Sequence, residues 1–180
     1  MNIFDQKYTA QAVATAVGCE AKQISDWCNT GRIVGQREPL GKGRSRQFSW
    51  FNVMEIAIAN ELMNIGVKSP QDAFAVAQSF SHTNDADARM LVKEDGAERI
   101  SSCPYHHSLG TTFLFVAGSV GHIILSEDGN VNLFTVSRPY SRARGYIVVN
   151  VSEVFAAVLH RLGHEYRVIL NDAYGEIKAG

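Results

Sequence analysis

Tyr8-Thr9-Ala10-Gln11-Ala12-Val13-Ala14-Thr15-Ala16-Val17-Gly18-Cys19-Glu20-Ala21-Lys22-Gln23-Ile24-Ser25-Asp26-Trp27-Cys28-Asn29 is the stretch that decides the reading of this chain. Thr9 is a good helix cap. Ala10, Val13, Ala14 and Val17 follow at helical spacing, and Gly18 stops the pattern. A second short helix fits Glu20 to Asn29, with Ala21, Ile24, Trp27 and Cys28 on its apolar face. Two short helices across a tight glycine-containing turn are a helix-turn-helix pattern. Lys22, Gln23, Ser25 and Asp26 fall on the polar face of the second helix.

The chain continues with Gly31, which ends that helix, and Ile33-Val34, which can start a strand. Gly41 and Gly43 permit a hairpin tip, so 34–37 and 44–48 are predicted to pair as a two-stranded wing. Ser49 is placed to cap a helix from Phe51 to Ile65. Ser69-Pro70 opens another, with Ala73, Phe74, Val76 and Ala77 inside. Residues 22–46 hold six Lys/Arg against two Asp/Glu, whereas residues 81–180 hold nine against eleven. A basic patch on a chain of formal net charge −1 points to a local polyanion contact.

The ordered set of helix, turn, helix, glycine, basic wing, helix and Gly66-Val67-Lys68-Ser69 resembles the MerR-type winged helix domain over residues 8 to 77. The resemblance implies double-stranded DNA as partner, with the second helix in the major groove and the wing on the backbone or minor groove. The residues it assigns to DNA are Lys22, Gln23, Ser25, Arg37, Lys42, Arg44, Ser45 and Arg46. The chemistry agrees: Gln can bond adenine bidentately, Lys reaches guanine or phosphate, and wing arginines supply salt-dependent affinity. Ser25 and Asp26 stand where most such regulators have arginine and tyrosine. Trp27 followed by Gly31-Arg32-Ile33 is also similar to the excisionase and small-terminase branches, whose members bind DNA architecturally. No sustained heptad pattern follows residue 80, so the long dimer helix of the family is absent.

Residues 81–87 are polar and read as a linker between a domain of residues 1–80 and a second of residues 88–180. The second half has short apolar runs at Phe113–Ala117, His122–Leu125, Val131–Val136 and Tyr146–Val151. Ser152 is expected to cap a helix to Leu162, and Tyr166–Leu170 to form a last strand. The expected fold class is α+β: a winged helix-turn-helix joined to an antiparallel sheet domain with one packed helix. That sheet domain is read as a dimerisation or effector unit.

Cys103, His106, His107, His122, His160 and His164 form a loose set from which a metal site could draw. No Cys-x-x-Cys pair accompanies them, so the expectation is no metal and no cofactor. Arg138, Arg142 and Arg144 flank Tyr140 in a basic loop suited to an anion or an exposed surface. There is no phosphate-cradling Gly-x-x-x-x-Gly-Lys and no Gly-x-Ser-x-Gly elbow, which argues against an enzyme. No leader pattern and no membrane-length apolar run is present. Three widely spaced cysteines suit a reducing compartment. The expectation is a cytoplasmic, nucleoid-associated homodimeric regulator, with RNA polymerase a further candidate partner. A ligand- or metal-sensing regulator and an architectural DNA-binding protein are the alternatives.

Overall fold

The computed structural model describes residues 2–36, 45–82, 91–94, 97–132 and 145–175. The order is a short 3-10 turn (Ile3–Asp5), β1 (Tyr8–Thr9), α1 (Ala10–Val17), α2 (Ala21–Asn29), β2 (Gln47–Phe48), α3 (Trp50–Asn64) and α4 (Pro70–Ser81). Then come β3 (Leu91–Glu94), β4 (Ala97–Ile100), β5 (Thr111–Ala117), β6 (Val120–Ser126), β7 (Ile147–Asn150), α5 (Val151–Arg161) and α6 (Tyr166–Tyr174). The class is α+β, with antiparallel strand pairs among helices.

The expected capping logic operates in the first half. Thr9, Ser49 and Ser69 each accept a hydrogen bond from the backbone N–H three residues on, and the Asn52 side chain closes a capping box with Ser49. Gly18 ends α1 in the left-handed region at φ 81°, where a side chain would be strained. Helix α3 is the central element. Every residue from Trp50 to Ala59 is buried, including Asn52 and Glu55, so it has no solvent face over its first ten residues.

The strand expected at Ile33-Val34 is a turn, and Phe48 does not pair with it. β2 pairs instead with β1, Tyr8 opposite Phe48 and Thr9 opposite Gln47. The register buries Phe48 and Tyr8 together beside Trp50, whereas Val34 remains 42% exposed. Residues 37–44, the expected wing tip, and residues 83–90, most of the expected linker, lie outside the described residues.

In the second half, β5 is central in a three-stranded sheet of order β6-β5-β7. β5 and β6 are joined through Gly118-Ser119, as the sequence predicts. The β3–β4 hairpin is an element that hydrophobic runs alone did not predict. Val131 and Asn132 are not in a strand, and 133–136 lie outside the described residues. Two corrections concern helices. Asn150, not Ser152, caps α5, accepting from the Glu153 N–H, and Ser152 turns inward to accept from the Thr112 N–H at 2.9 Å. Tyr166–Leu170 begins a helix rather than a strand. The run continues to Ala173 and Tyr174, so Tyr166, Ile169, Leu170, Ala173 and Tyr174 share one helical face, and Glu165 caps it. This half thus has two helices, not one, and the second packs against the first.

A single hydrophobic core runs from Ile3 to Leu170 and joins both halves. Trp50 stands at the join. Its ring lies edge-on to Phe155 at 5.6 Å, and its Nε1 donates to the Ser102 carbonyl. α5 packs on β5 and also on α1 and α3, and β6 packs on α4.

Candidate nucleic-acid interface

Helix α2 is held by three side chains. Ile24, Trp27 and Cys28 are buried, and Trp27 stands edge-on to Phe74 of α4 at 5.2 Å. Burial pushes the Cys28 thiol above its ordinary pKa, against the lowering pull of Arg46. Fixing one face leaves the other free. Lys22, Gln23, Ser25, Asp26 and Asn29 are exposed. The side chains of Lys22, Gln23, Ser25 and Asp26 make no hydrogen bond or ion pair with any described residue. At about 1.5 Å per residue, this helix presents about 13 Å of polar surface, which suits a major groove.

Arg46 lies beside the last turn of α2, where its Nη2 donates to Asn29 Oδ1 at 3.1 Å. Ser45 is exposed, and its Oγ accepts from Gln47 Nε2 at 3.4 Å. Gln36 Nε2 donates to the Gln47 carbonyl at 2.9 Å, so residues 36 and 47 are tied together. Of the eight residues assigned to DNA, Lys22, Gln23, Ser25, Ser45 and Arg46 are thus gathered at and beyond one face of α2. Arg37, Lys42 and Arg44 lie outside the described residues, as do Arg138, Arg142 and Arg144. Arg32 is half-buried and donates to Gln71 of α4, a bond that fixes α2's exit to α4.

Sequence reasoning missed the supports of this face. Glu55 is fully buried in α3. Its carboxylate accepts from the Val34 N–H, from Asn52 Nδ2 and from Gln78 Nε2 at 3.0 Å, and meets His82 Nε2 at 2.9 Å. Gln78 also donates to the Arg32 carbonyl. One carboxylate therefore pins the chain leaving α2 against α3 and α4. Its signal was a lone acid inside the apolar run Val53-Met54-Glu55-Ile56-Ala57. The second support is Arg161 of α5. Its Nη1 donates to the Ala16 and Val17 carbonyls at 3.1 and 3.0 Å, which satisfies the C-terminal end of α1 and complements its dipole.

The histidines and Cys103 do not converge. His106 and His107 are neighbours with ring centroids 4.2 Å apart, but Cys103 is buried behind Arg99, whose Nη1 donates to its carbonyl. His106 is engaged by Ser108 Oγ and Asn171 Oδ1, while His122 and His160 are exposed on β6 and α5. Among the described residues, no group of three or more His, Cys, Asp or Glu is placed to hold a metal. No described helix is long and apolar enough to cross a membrane. No protein-family model and no curated protein matches this chain.

Proposed function

We propose that this protein is a sequence-specific DNA-binding transcriptional regulator of the cytoplasm, working at the nucleoid as a homodimer. The observation that carries the reading is the polar face of α2, where Lys22, Gln23, Ser25 and Asp26 are unengaged by any described residue while the opposite face is locked by Ile24, Trp27 and Cys28. Lys22 and Gln23 are the base-reading candidates. Arg46, braced by Asn29, is a phosphate contact at the edge of that face, and the charge of Arg37, Lys42 and Arg44 adds to it. The Asp26 carboxylate repels phosphate, which leaves the backbone contacts to the basic residues. The second copy pairs through the sheet, where Val120 and Val148 are exposed on the two edge strands and Tyr146 is exposed just before β7. Two-fold pairing calls for an inverted-repeat operator with half-sites a whole number of helical turns apart.

The test begins with mapping of bound sites across a genome, which yields a motif. Affinity for that motif is then followed against salt. Arg46→Ala should weaken binding to all sequences and reduce the salt slope by about one. Gln23→Ala should relax specificity at one base position, at a cost of about 1–3 kcal/mol. Identical salt slopes for Arg46→Ala and the parent, together with unchanged specificity for Gln23→Ala, would remove this face from the DNA interface.

A further inference from the structure

A cavity of about 480 Å³ opens in the second half, far from the α2 face in sequence. It lies between the Glu127–Gly129 turn, the first turns of α5 and the start of α6. That volume falls within the range of small-molecule sites. Its wall is mixed: Tyr166 and Ala156 are half-buried and face it, while Tyr105 and Leu170 are fully buried behind them. Its rim carries three exposed carboxylates, Glu127, Asp128 and Glu153.

The cavity is built by specific contacts. Gly110, at φ 132°, lets the chain press on the Ser126–Glu127 backbone, where a Cβ would stand 2.2 Å from the Ser126 carbonyl oxygen. Asp128 is fixed by the Ser126 hydroxyl and by the backbone and side chain of Asn130, which hold its pKa below the usual carboxylate range. The charge on that rim is therefore present at any pH near neutral.

The electrostatics select one sign of ligand. Among the described residues, no lysine or arginine lines the cavity. Arg167, which donates to Tyr166 Oη, is not a lining residue. His107 lines it. Burial, with His106 and Arg167 beside it, holds His107 below the ordinary histidine range, so it brings no charge at pH 7. Its Nδ1 is buried without a hydrogen-bond partner among the described residues. Two effects oppose this: the Arg167 guanidinium stands over the Tyr166 ring, 5.8 Å from its centroid, and the N-termini of α5 and α6 both lie at this cavity. Each helix end is worth about half a positive charge, and each already has an acidic or amide cap, Asn150 with Glu153 on α5 and Glu165 on α6. Three full negative charges outweigh what remains.

We propose that this cavity is a binding site for a small organic cation, a protonated amine or amidine on a compact aromatic or aliphatic body. The carboxylate rim pairs with the cationic head, and half-buried Tyr166 receives the body beside Ala156, with a cation–π contribution from its ring. Helix α5 gives the site a consequence. Its first turn, Ser152 and Glu153, lines the cavity, and its last turn carries Arg161, which caps α1. Occupancy at one end of this rigid element biases the position of the helix pair at the other. That consequence rests on the DNA-binding reading above; the site itself does not.

Isothermal titration of the intact protein with benzamidine, tyramine and cyclohexylamine tests the site, with benzoate and benzyl alcohol as anionic and neutral controls. The cations should bind, and Glu127→Gln/Glu153→Gln should weaken them about tenfold or more while lowering the melting temperature by no more than about 4 °C, since both residues are exposed and the one helix-end charge lost is that of Glu153 at the start of α5. Benzoate binding as tightly as benzamidine would overturn the proposal. So would unchanged affinity in the double variant, or no heat from any cation up to about 5 mM. Calorimetry needs no DNA, so failure here is distinct from failure of the DNA-binding reading. A second titration measures DNA affinity with and without the bound cation. A shift that disappears in Arg161→Gln supports the relay through α5, and an equal shift in both proteins removes it.

Discussion

Replacing Glu55 should be among the most damaging single changes available in this molecule, and the structure says by how much. The carboxylate is fully buried and receives four donors: the Val34 N–H, Asn52 Nδ2, Gln78 Nε2 and His82 Nε2. Glu55→Ala deletes the acceptor of all four. They do not suffer equally. Val34 is 42% exposed and can return to water, and Gln78 and His82 are half-buried. Asn52, at 5% exposure, is shut off from water; its Nδ2 keeps the Val34 carbonyl at 3.0 Å, and its second N–H is trapped. One trapped donor costs about 1–3 kcal/mol. Loss of the charge-assisted bonds and the space left inside α3 raise the total to about 3–5 kcal/mol. Glu55→Gln should cost less, below about 2 kcal/mol, because it keeps the shape and one acceptor. Its amide N–H₂ would face a donor, yet His82 can switch tautomer and accept it. Urea unfolding at pH 7, followed by circular dichroism, gives both numbers. A loss under about 1 kcal/mol for Glu55→Ala, or equal losses for the two variants, would refute the idea that this carboxylate organises the join of α2, α3 and α4.

The three thiols should separate cleanly in a labelling experiment. Cys103 is buried, and desolvation pushes its thiol up to about 12, while Cys28 is buried too. A thiol reagent should therefore modify only half-buried Cys19 in the native protein and all three after denaturation, as counted by mass spectrometry. Gly110→Ala should lower stability by about 1–3 kcal/mol, because both the positive φ and the Ser126 backbone oppose a side chain there; a thermal melt measures it. His107 should titrate below the ordinary histidine range in an NMR pH series. Its folded pKa lies under the unfolded one, so the unfolded chain binds the proton first. Stability then rises with pH through that window and is lost as pH falls through the ordinary histidine range toward the lowered value. The His107 contribution to that slope should be missing in His107→Gln.

Much of the first half was legible because its signals are local. Thr9, Ser49 and Ser69 announce helices through bonds to backbone three residues away, and Gly18 ends one by its own backbone freedom. The buried triad Ile24, Trp27 and Cys28 follows from helical period alone, and with it the exposed face bearing Lys22, Gln23 and Ser25. The partner of β2 was not legible. Which strand Phe48 meets depends on packing beside Trp50, a tertiary matter that no turn residue encodes. Tyr166–Leu170 failed for a related reason: five residues of mixed apolar character fit either period, and only Ala173 and Tyr174 tip the balance to a helix. The roles of Glu55 and Arg161 depend on residues at great sequence distance, Arg161 reaching back to Ala16 and Val17. The cavity is of the same kind, assembled from a turn, two helices and a loop.

The core shared between the two halves also limits how this protein can have been recombined. Trp50 relies on Phe155 and Ser102, and α1 relies on Arg161 for its last carbonyls. A gene fusion that kept the first 80 residues and supplied a new partner would expose Trp50 and leave the Ala16 and Val17 carbonyls without Arg161. It would survive only if the newcomer offered an aromatic edge and a guanidinium in the same places. Diversification is therefore cheapest at sites that touch no shared contact: the outward residues of α2 and the rim of the cavity. Sequence preference and ligand preference can drift there while the body that joins them is inherited whole.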